Sequence, residues 1–97
     1  MVTSMKSRRT ASTIGGQLRT WRKLLGLTAE QVAERAGISR GTLRRLEQGQ
    51  TTVGFDIFLE VTRVLGLTEQ ILKAVDPYET DLGRARADQQ LPQRIRR

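Results

Sequence analysis

The sequence predicts an all-α fold, and three observations support this prediction. Apolar residues recur three and four positions apart, the spacing of one helix face, at Ile14, Leu18 and Trp21. Capping residues precede such segments and glycines follow them, as Thr28 and Gly37 do around one segment. The chain has 97 residues, which is enough for one small domain with terminal extensions.

The composition divides the chain into three parts. Residues 1–12 contain Lys6, Arg8 and Arg9, no acidic residue and almost no apolar periodicity, and we interpret them as a flexible, disordered basic arm. The functional interpretation is an arm that lies along a phosphate backbone or in a minor groove. The alternative is a terminus without a function or a misplaced start codon. Residues 13–75 predict the folded domain, and residues 76–97 predict a charged tail that is partly disordered or binds a partner.

Five helices are expected within residues 13–75. The first spans about 13–25, and two short ones lie within 29–48. The fourth spans about 54–65 and has Phe55, Phe58 and Leu59 on its expected core face, while the fifth spans 69–75. Asp76-Pro77 ends the fifth helix because proline has no amide hydrogen. In the tail, 81–90 predicts only a marginally stable helix.

Charge and missing residue types restrict the function. The formal charge is +7 and the pI is about 11.3, which favours a polyanionic partner over a protein that is merely basic and soluble. Cysteine and histidine are both absent, which excludes disulfides, zinc sites and imidazole catalysis, so no metal or cofactor is expected. Carboxylates show no recognisable catalytic spacing, which argues against an enzyme.

No apolar run reaches the roughly 18 to 20 residues that a membrane span needs, and the first dozen residues lack the apolar centre of a secretory signal. We therefore expect no membrane partner and a cytoplasmic location, with nucleoid association through DNA.

The stretch from Thr28 to Gly49 carries the strongest motif. Thr28 and Gln31 form a capping box at the start of one helix, and Gly37 ends that helix. Ser39 then caps a second helix that is rich in arginine on its free face. Two short helices joined by a glycine turn are typical of a helix-turn-helix motif, whose second helix enters the DNA major groove.

A helical wheel assigns the contacts of that second helix. Side chains opposite the buried leucines are expected to reach base edges, where arginine matches the guanine acceptors; these are Ser39, Arg40, Gly41, Thr42 and Arg44. The alternative is a solvated surface helix. Phosphate contacts are expected from helix starts and from the loop after the motif; these are Arg19, Thr28, Ala29, Arg45, Gln48, Gln50, Thr51 and Thr52. Arg22 and Glu47 are expected to form a structural pair.

The order of these residues resembles the Cro/phage-repressor (xenobiotic-response-element) family of five-helix DNA-binding domains. The resemblance covers about 14–67 and rests on L-x-x-W-R at 18–22, L-T-x-x-Q-V-A at 27–33, A-G-I-S-R-G-T-L at 36–43 and L-E-Q-G at 46–49. It implies a homodimer on a palindromic double-stranded operator, with recognition helices about 34 Å apart. Ala29 stands where the family often has a DNA-contacting glutamine.

The tail is similar to the tails of HipB-like antitoxins, which are encoded beside a HipA-like kinase toxin and repress their own operon. The resemblance implies a transcriptional repressor that is also the antitoxin of a toxin–antitoxin pair. The alternative is a protein–protein adaptor that uses the same domain without reading DNA. A dimer or partner surface is expected from one apolar ridge, Leu67, Ile71, Leu72 and Val75.

Overall fold

The computed structural model describes residues 2–90, and over these residues the regular structure is entirely helical. This confirms the all-α prediction. Residues 2–90 contain six α-helices, the sixth of which occupies the 81–90 segment that was expected to form only a marginal helix, together with a short 3₁₀ turn, Pro77–Glu79. The helices are α1 Met5–Leu24, α2 Ala29–Ala36, α3 Arg40–Glu47, α4 Phe55–Val64, α5 Thr68–Val75 and α6 Asp81–Gln90. Met1 of the expected arm and 91–97 of the expected tail lie outside the described residues.

The chain folds as two compact units that divide between Leu67 and Thr68. In the first unit α2 packs against α4, and α3 packs against α1 and α2. Burying one large aliphatic side chain contributes about 1.5–3 kcal/mol, so this small core holds the four helices together. Its buried members are Leu18, Val32, Ala33, Ala36, Leu43, Leu46, Val61 and Leu65.

The N-terminus differs from the sequence prediction. Residues 5–12, expected to be disordered, form the first two turns of α1, which therefore begins eight residues before Thr13. Ser4 caps the helix, its Oγ accepting a hydrogen bond from the Ser7 amide at 3.1 Å. Lysine, arginine and alanine have good helix propensity, and they continue a helix whose later turns are packed.

The core face of α4 also differs from the prediction. Phe55 was expected in the core but is 71% exposed, and Leu59 is also exposed. Phe55 instead stacks on Phe58, with ring centroids 6.1 Å apart. Phe58 packs against the core and Val61 is buried in it, so the core lies against one edge of the predicted stripe. Trp21 on α1 is only partly buried, with 40% of its surface exposed.

The second unit is built on the end of α5. The helix stops before Pro77, as predicted, and Asp76 Oδ1 accepts the Tyr78 amide hydrogen at 2.9 Å to cap the 3₁₀ turn. Helix α6 packs directly on this turn, where Gly83 leaves no side chain between its backbone and the Pro77 carbonyl. The described part of the tail is therefore helical.

The capping box of α2 gives a stability prediction. The Thr28 hydroxyl accepts the Gln31 amide hydrogen at 3.0 Å, and the Gln31 side chain accepts the Thr28 amide hydrogen at 2.9 Å. We expect Thr28→Ala to lower the free energy of unfolding by about 1 kcal/mol, measured by urea denaturation. Thr13→Ala is the control, because Thr13 is exposed and forms no side-chain hydrogen bond within residues 2–90. Equal stability of the two variants would contradict the capping role.

Candidate nucleic-acid interface

The turn between α2 and α3 holds the two helices at a fixed angle. Gly37 has a φ of 72°, in the left-handed region that glycine tolerates best, and ends α2. Ile38 packs against the core from the turn. Ser39 then starts α3, its Oγ accepting the Thr42 amide hydrogen at 3.0 Å. Both predicted caps of the motif are thus confirmed.

An ion pair fixes α3 against α1, as the sequence predicted. Arg22 Nε donates to Glu47 Oε2 at 2.8 Å, and Arg22 Nη2 donates to Oε1 at 3.1 Å. The third guanidinium nitrogen, Nη1, donates to the Leu27 carbonyl at 3.3 Å, just before α2. The side chains are only 11% and 10% exposed. The hydrogen bond that Arg22 donates to Glu47 raises the pKa of Arg22 above its ordinary value, so the guanidinium stays protonated.

A cleft of about 400 Å³ lies above this pair, where α1, α2 and α3 meet. Arg19, Arg40 and Arg44 line it and form no ion pair with any described residue. Ala29 contributes only a methyl group to the wall at the start of α2. Three uncompensated guanidinium groups in one concave surface favour an anion such as a DNA phosphate.

The outer side of α3 carries a short hydrogen-bond chain. Ser39 Oγ donates to Thr42 Oγ1 at 2.9 Å, and Arg45 Nη2 donates to the same oxygen at 3.2 Å. The Ser39 hydroxyl is therefore used by the cap. A Cβ atom on Gly41 would meet only Arg45 Nη1 and Ser39 Oγ, each at 3.9 Å, so internal packing does not require glycine there. This side of the helix is open to close approach.

The predicted phosphate-contacting residues fall into two groups. At the start of α2, the Thr28 amide hydrogen is already bonded to Gln31, while the Ala29 amide forms no hydrogen bond within residues 2–90. After α3, Gln50, Thr51 and Thr52 line a second cleft, of about 380 Å³. The structure therefore places Ala29 and the loop in two different clefts.

The three basic residues of the expected arm lie on α1. Lys6, Arg8 and Arg9 are all exposed, and Arg8 alone of the three lines the cleft beside Thr51 and Thr52. Sequence reasoning missed Ser12, which lines the same cleft. The pair of glycines that brings α1 close to the loop, Gly15 and Gly49, was the available signal.

The expected dimer or partner ridge divides between the two units. Leu67 packs against the core of the first unit. Leu72 and Val75 on α5 are exposed, and Ile71 is partly buried.

Comparison with known proteins identifies the family. Residues 13–75, more than half of the chain, match the family model described as a helix-turn-helix domain. The chain belongs to the helix-turn-helix domain family. The match spans the Arg22–Glu47 pair, the α2–α3 motif and α5.

This helix-turn-helix chain is also similar to a protein of Methanothermobacter thermautotrophicus (strain Delta H), named "Uncharacterized HTH-type transcriptional regulator". The two are 41% identical over 49 residues, which cover 50% of this chain and 71% of that protein.

Among residues 2–90, none of the helices combines the length and the apolar character needed to cross a membrane.

Proposed function

We propose that this protein is a sequence-specific DNA-binding transcriptional repressor. The observation that carries the proposal is the cleft above the Arg22–Glu47 pair, where Arg19, Arg40 and Arg44 lie without acidic partners in the described chain. A regulator of this kind needs side chains that reach base edges and cations that hold phosphates. The similar archaeal protein carries the name of a transcriptional regulator, which supports the same class.

The proposed contacts follow the motif. Arg40 and Arg44 extend from α3 and donate to guanine edges in the major groove, while Gly41 permits close approach and Thr42 offers its hydroxyl or methyl group. Arg45, Gln48, Arg19 and the Ala29 amide hold phosphates, together with the loop at 50–52. Repression follows from occupancy: bound protein covers a promoter and blocks polymerase, with no reaction catalysed.

The proposal extends to a homodimer that binds a palindromic operator and controls its own operon. Exposed apolar side chains on α5, Leu72 and Val75, support a second copy or another protein as partner. A HipA-like kinase toxin is the partner proposed for the charged tail, which makes this chain an antitoxin. Co-purification of a kinase-sized partner with the full chain tests that part.

The same exposed side chains on α5 support the alternative function, a protein–protein adaptor that does not read DNA. A gel-shift assay with fragments of the protein's own genome, titrated with salt, separates the two functions. A repressor retards a few fragments strongly. With six to ten phosphates contacted, its affinity for them falls by a factor on the order of 10³–10⁵ between 50 and 200 mM salt. Retardation of none of the fragments would contradict the repressor proposal and leave the adaptor.

A further inference from the structure

Helix α1 is longer than the packing of the first unit requires. Its 20 residues correspond to about 30 Å, and the first two turns, from Met5, have exposed side chains on nearly every position. These turns carry Lys6, Arg8 and Arg9 and no acidic residue. All charged residues of this exposed extension are basic, so any contact with an anion depends on which of its faces lies beside the rest of the domain.

Two glycines answer this by bringing α1 into backbone contact with the end of α3. A Cβ atom on Gly15 would lie 2.6 Å from the carbonyl oxygens of Leu46 and Glu47. A Cβ atom on Gly49 would lie 2.5 Å from Ser12 Cα, and Gly49 has a φ of 78°. Neither contact tolerates a side chain, so α1 and the loop after α3 are held in one arrangement.

That arrangement sets the position of Arg8. Residues four apart lie on one face of a helix, so Arg8 is on the same side of α1 as Ser12, which touches Gly49. Arg9 lies about 100° further round the helix. The cleft of about 380 Å³ between the extension and the loop is accordingly lined by Arg8 and not by Arg9.

The lining of this cleft has the chemistry of a phosphate site. Its wall consists of one guanidinium group, hydroxyl groups, an amide side chain and the Gly49 backbone, without a carboxylate; the members are Arg8, Ser12, Gly49, Gln50, Thr51 and Thr52. Arg8 forms no ion pair with any described residue. The Thr51 and Thr52 hydroxyls form no hydrogen bond within residues 2–90. Arginine and hydroxyl donors are the groups that contact phosphate oxygens in DNA complexes.

We infer that Arg8 and Thr51 together bind one DNA backbone phosphate beyond the segment that α3 reads, so that the N-terminal extension of α1 acts as an ordered helical contact. This inference rests on the proposed function. It assigns the contact to one face of the helix and separates Arg8 from Lys6 and Arg9, which lie outside the cleft.

The test compares Arg8→Gln with Arg9→Gln, two exposed residues on the same helix that lose the same charge. The affinity of the full chain for a duplex selected from a random pool is measured between 50 and 200 mM salt. Loss of one phosphate contact makes the slope of log K against log salt less steep by about 0.9 for each bound subunit. The fall in affinity from 50 to 200 mM salt then becomes about threefold smaller for each bound subunit. We expect this change for Arg8→Gln and an unchanged slope for Arg9→Gln.

A second variant tests whether the two groups share one phosphate. Thr51→Val removes a hydroxyl without changing the charge. In the double variant with Arg8→Gln, the fold-loss of affinity should be smaller than the product of the two single fold-losses. The inference would be overturned if the salt slope were unchanged in both arginine variants, or if it changed equally in both. It would also be overturned if the affinity losses of the Arg8 and Thr51 variants were independent of each other. If the parent binds no duplex, the proposed function fails; if the parent binds and Arg8→Gln matches it, only this inference fails.

Discussion

Replacing Arg40 with alanine is expected to reduce sequence discrimination at one base pair while leaving the fold intact. Arg40 is exposed in the first turn of α3 and lines the cleft, and it makes no hydrogen bond or ion pair through its side chain within residues 2–90. A good arginine–guanine pair discriminates by about 1–3 kcal/mol, so the affinity for a selected duplex should fall by about 5- to 150-fold. Binding to a scrambled duplex should change much less. Arg44→Ala should act in the same direction at a different base pair.

Arg19→Ala provides the matched comparison for this experiment. Arg19 lines the same cleft but belongs to α1, and we assign it to the phosphate backbone. Arg19→Ala should weaken binding to the selected and the scrambled duplex alike. It should also make the slope of log K against log salt less steep by about 1 for each bound subunit. Competition assays with both duplexes measure the two effects. If Arg40→Ala weakened both duplexes equally, the assignment of Arg40 to base reading would be wrong.

Replacing Glu47 with alanine is expected to destabilise the domain strongly. The Arg22 side chain is about nine-tenths buried, and the substitution removes the carboxylate that pairs with it. Its remaining hydrogen bond is to the uncharged Leu27 carbonyl. Removing one partner of a buried pair costs about 3–5 kcal/mol, and the partial exposure of this pair places the expected loss at the lower end of that range. Chemical denaturation followed by circular dichroism measures the loss.

The exposed pair of Glu60 and Arg63 is the control for this experiment. Their contact, at 2.9 Å, joins side chains that are at least half exposed. Such pairs contribute about 0–1 kcal/mol, so Glu60→Ala should change stability little. A Glu47→Ala variant as stable as Glu60→Ala would show that the pair between α1 and α3 does not hold the domain together.

Local features of the motif could be predicted from the sequence. The capping box at Thr28 and the cap at Ser39 depend on residues only three positions apart, so their hydrogen bonds follow from the order of the chain. The Arg22–Glu47 pair was also predictable, since both residues stand among apolar positions of α1 and α3. The family model matches residues 13–75, which include these features.

Features that depend on tertiary contact could not be predicted. Helix α1 extends to Met5 although its first turns have no apolar face, because the later turns dock on α3 through Gly15. On α4, packing against α2 buried the edge of the apolar stripe that contains Val61 and left the edge with Phe55 exposed. Neither choice is encoded in spacing alone.

The position of the cleft residues shows the same limit. The sequence indicated that Arg19, Arg40 and Arg44 are exposed, but not that they converge above one ion pair. Ala29 departs from the pattern of the resembled family, and the structure adds that it lines the cleft beside Arg40 and Arg44.

The central claim is that α3 and its flanking helix ends contact duplex DNA. The most direct test records the backbone amide NMR signals of the full chain with and without a selected duplex. We predict that signals of residues 39–45, 29–30 and 50–52 shift or broaden, while those of α5, Thr68–Val75, change little. Shifts confined to α5, or none on saturating addition of duplex, would contradict the account.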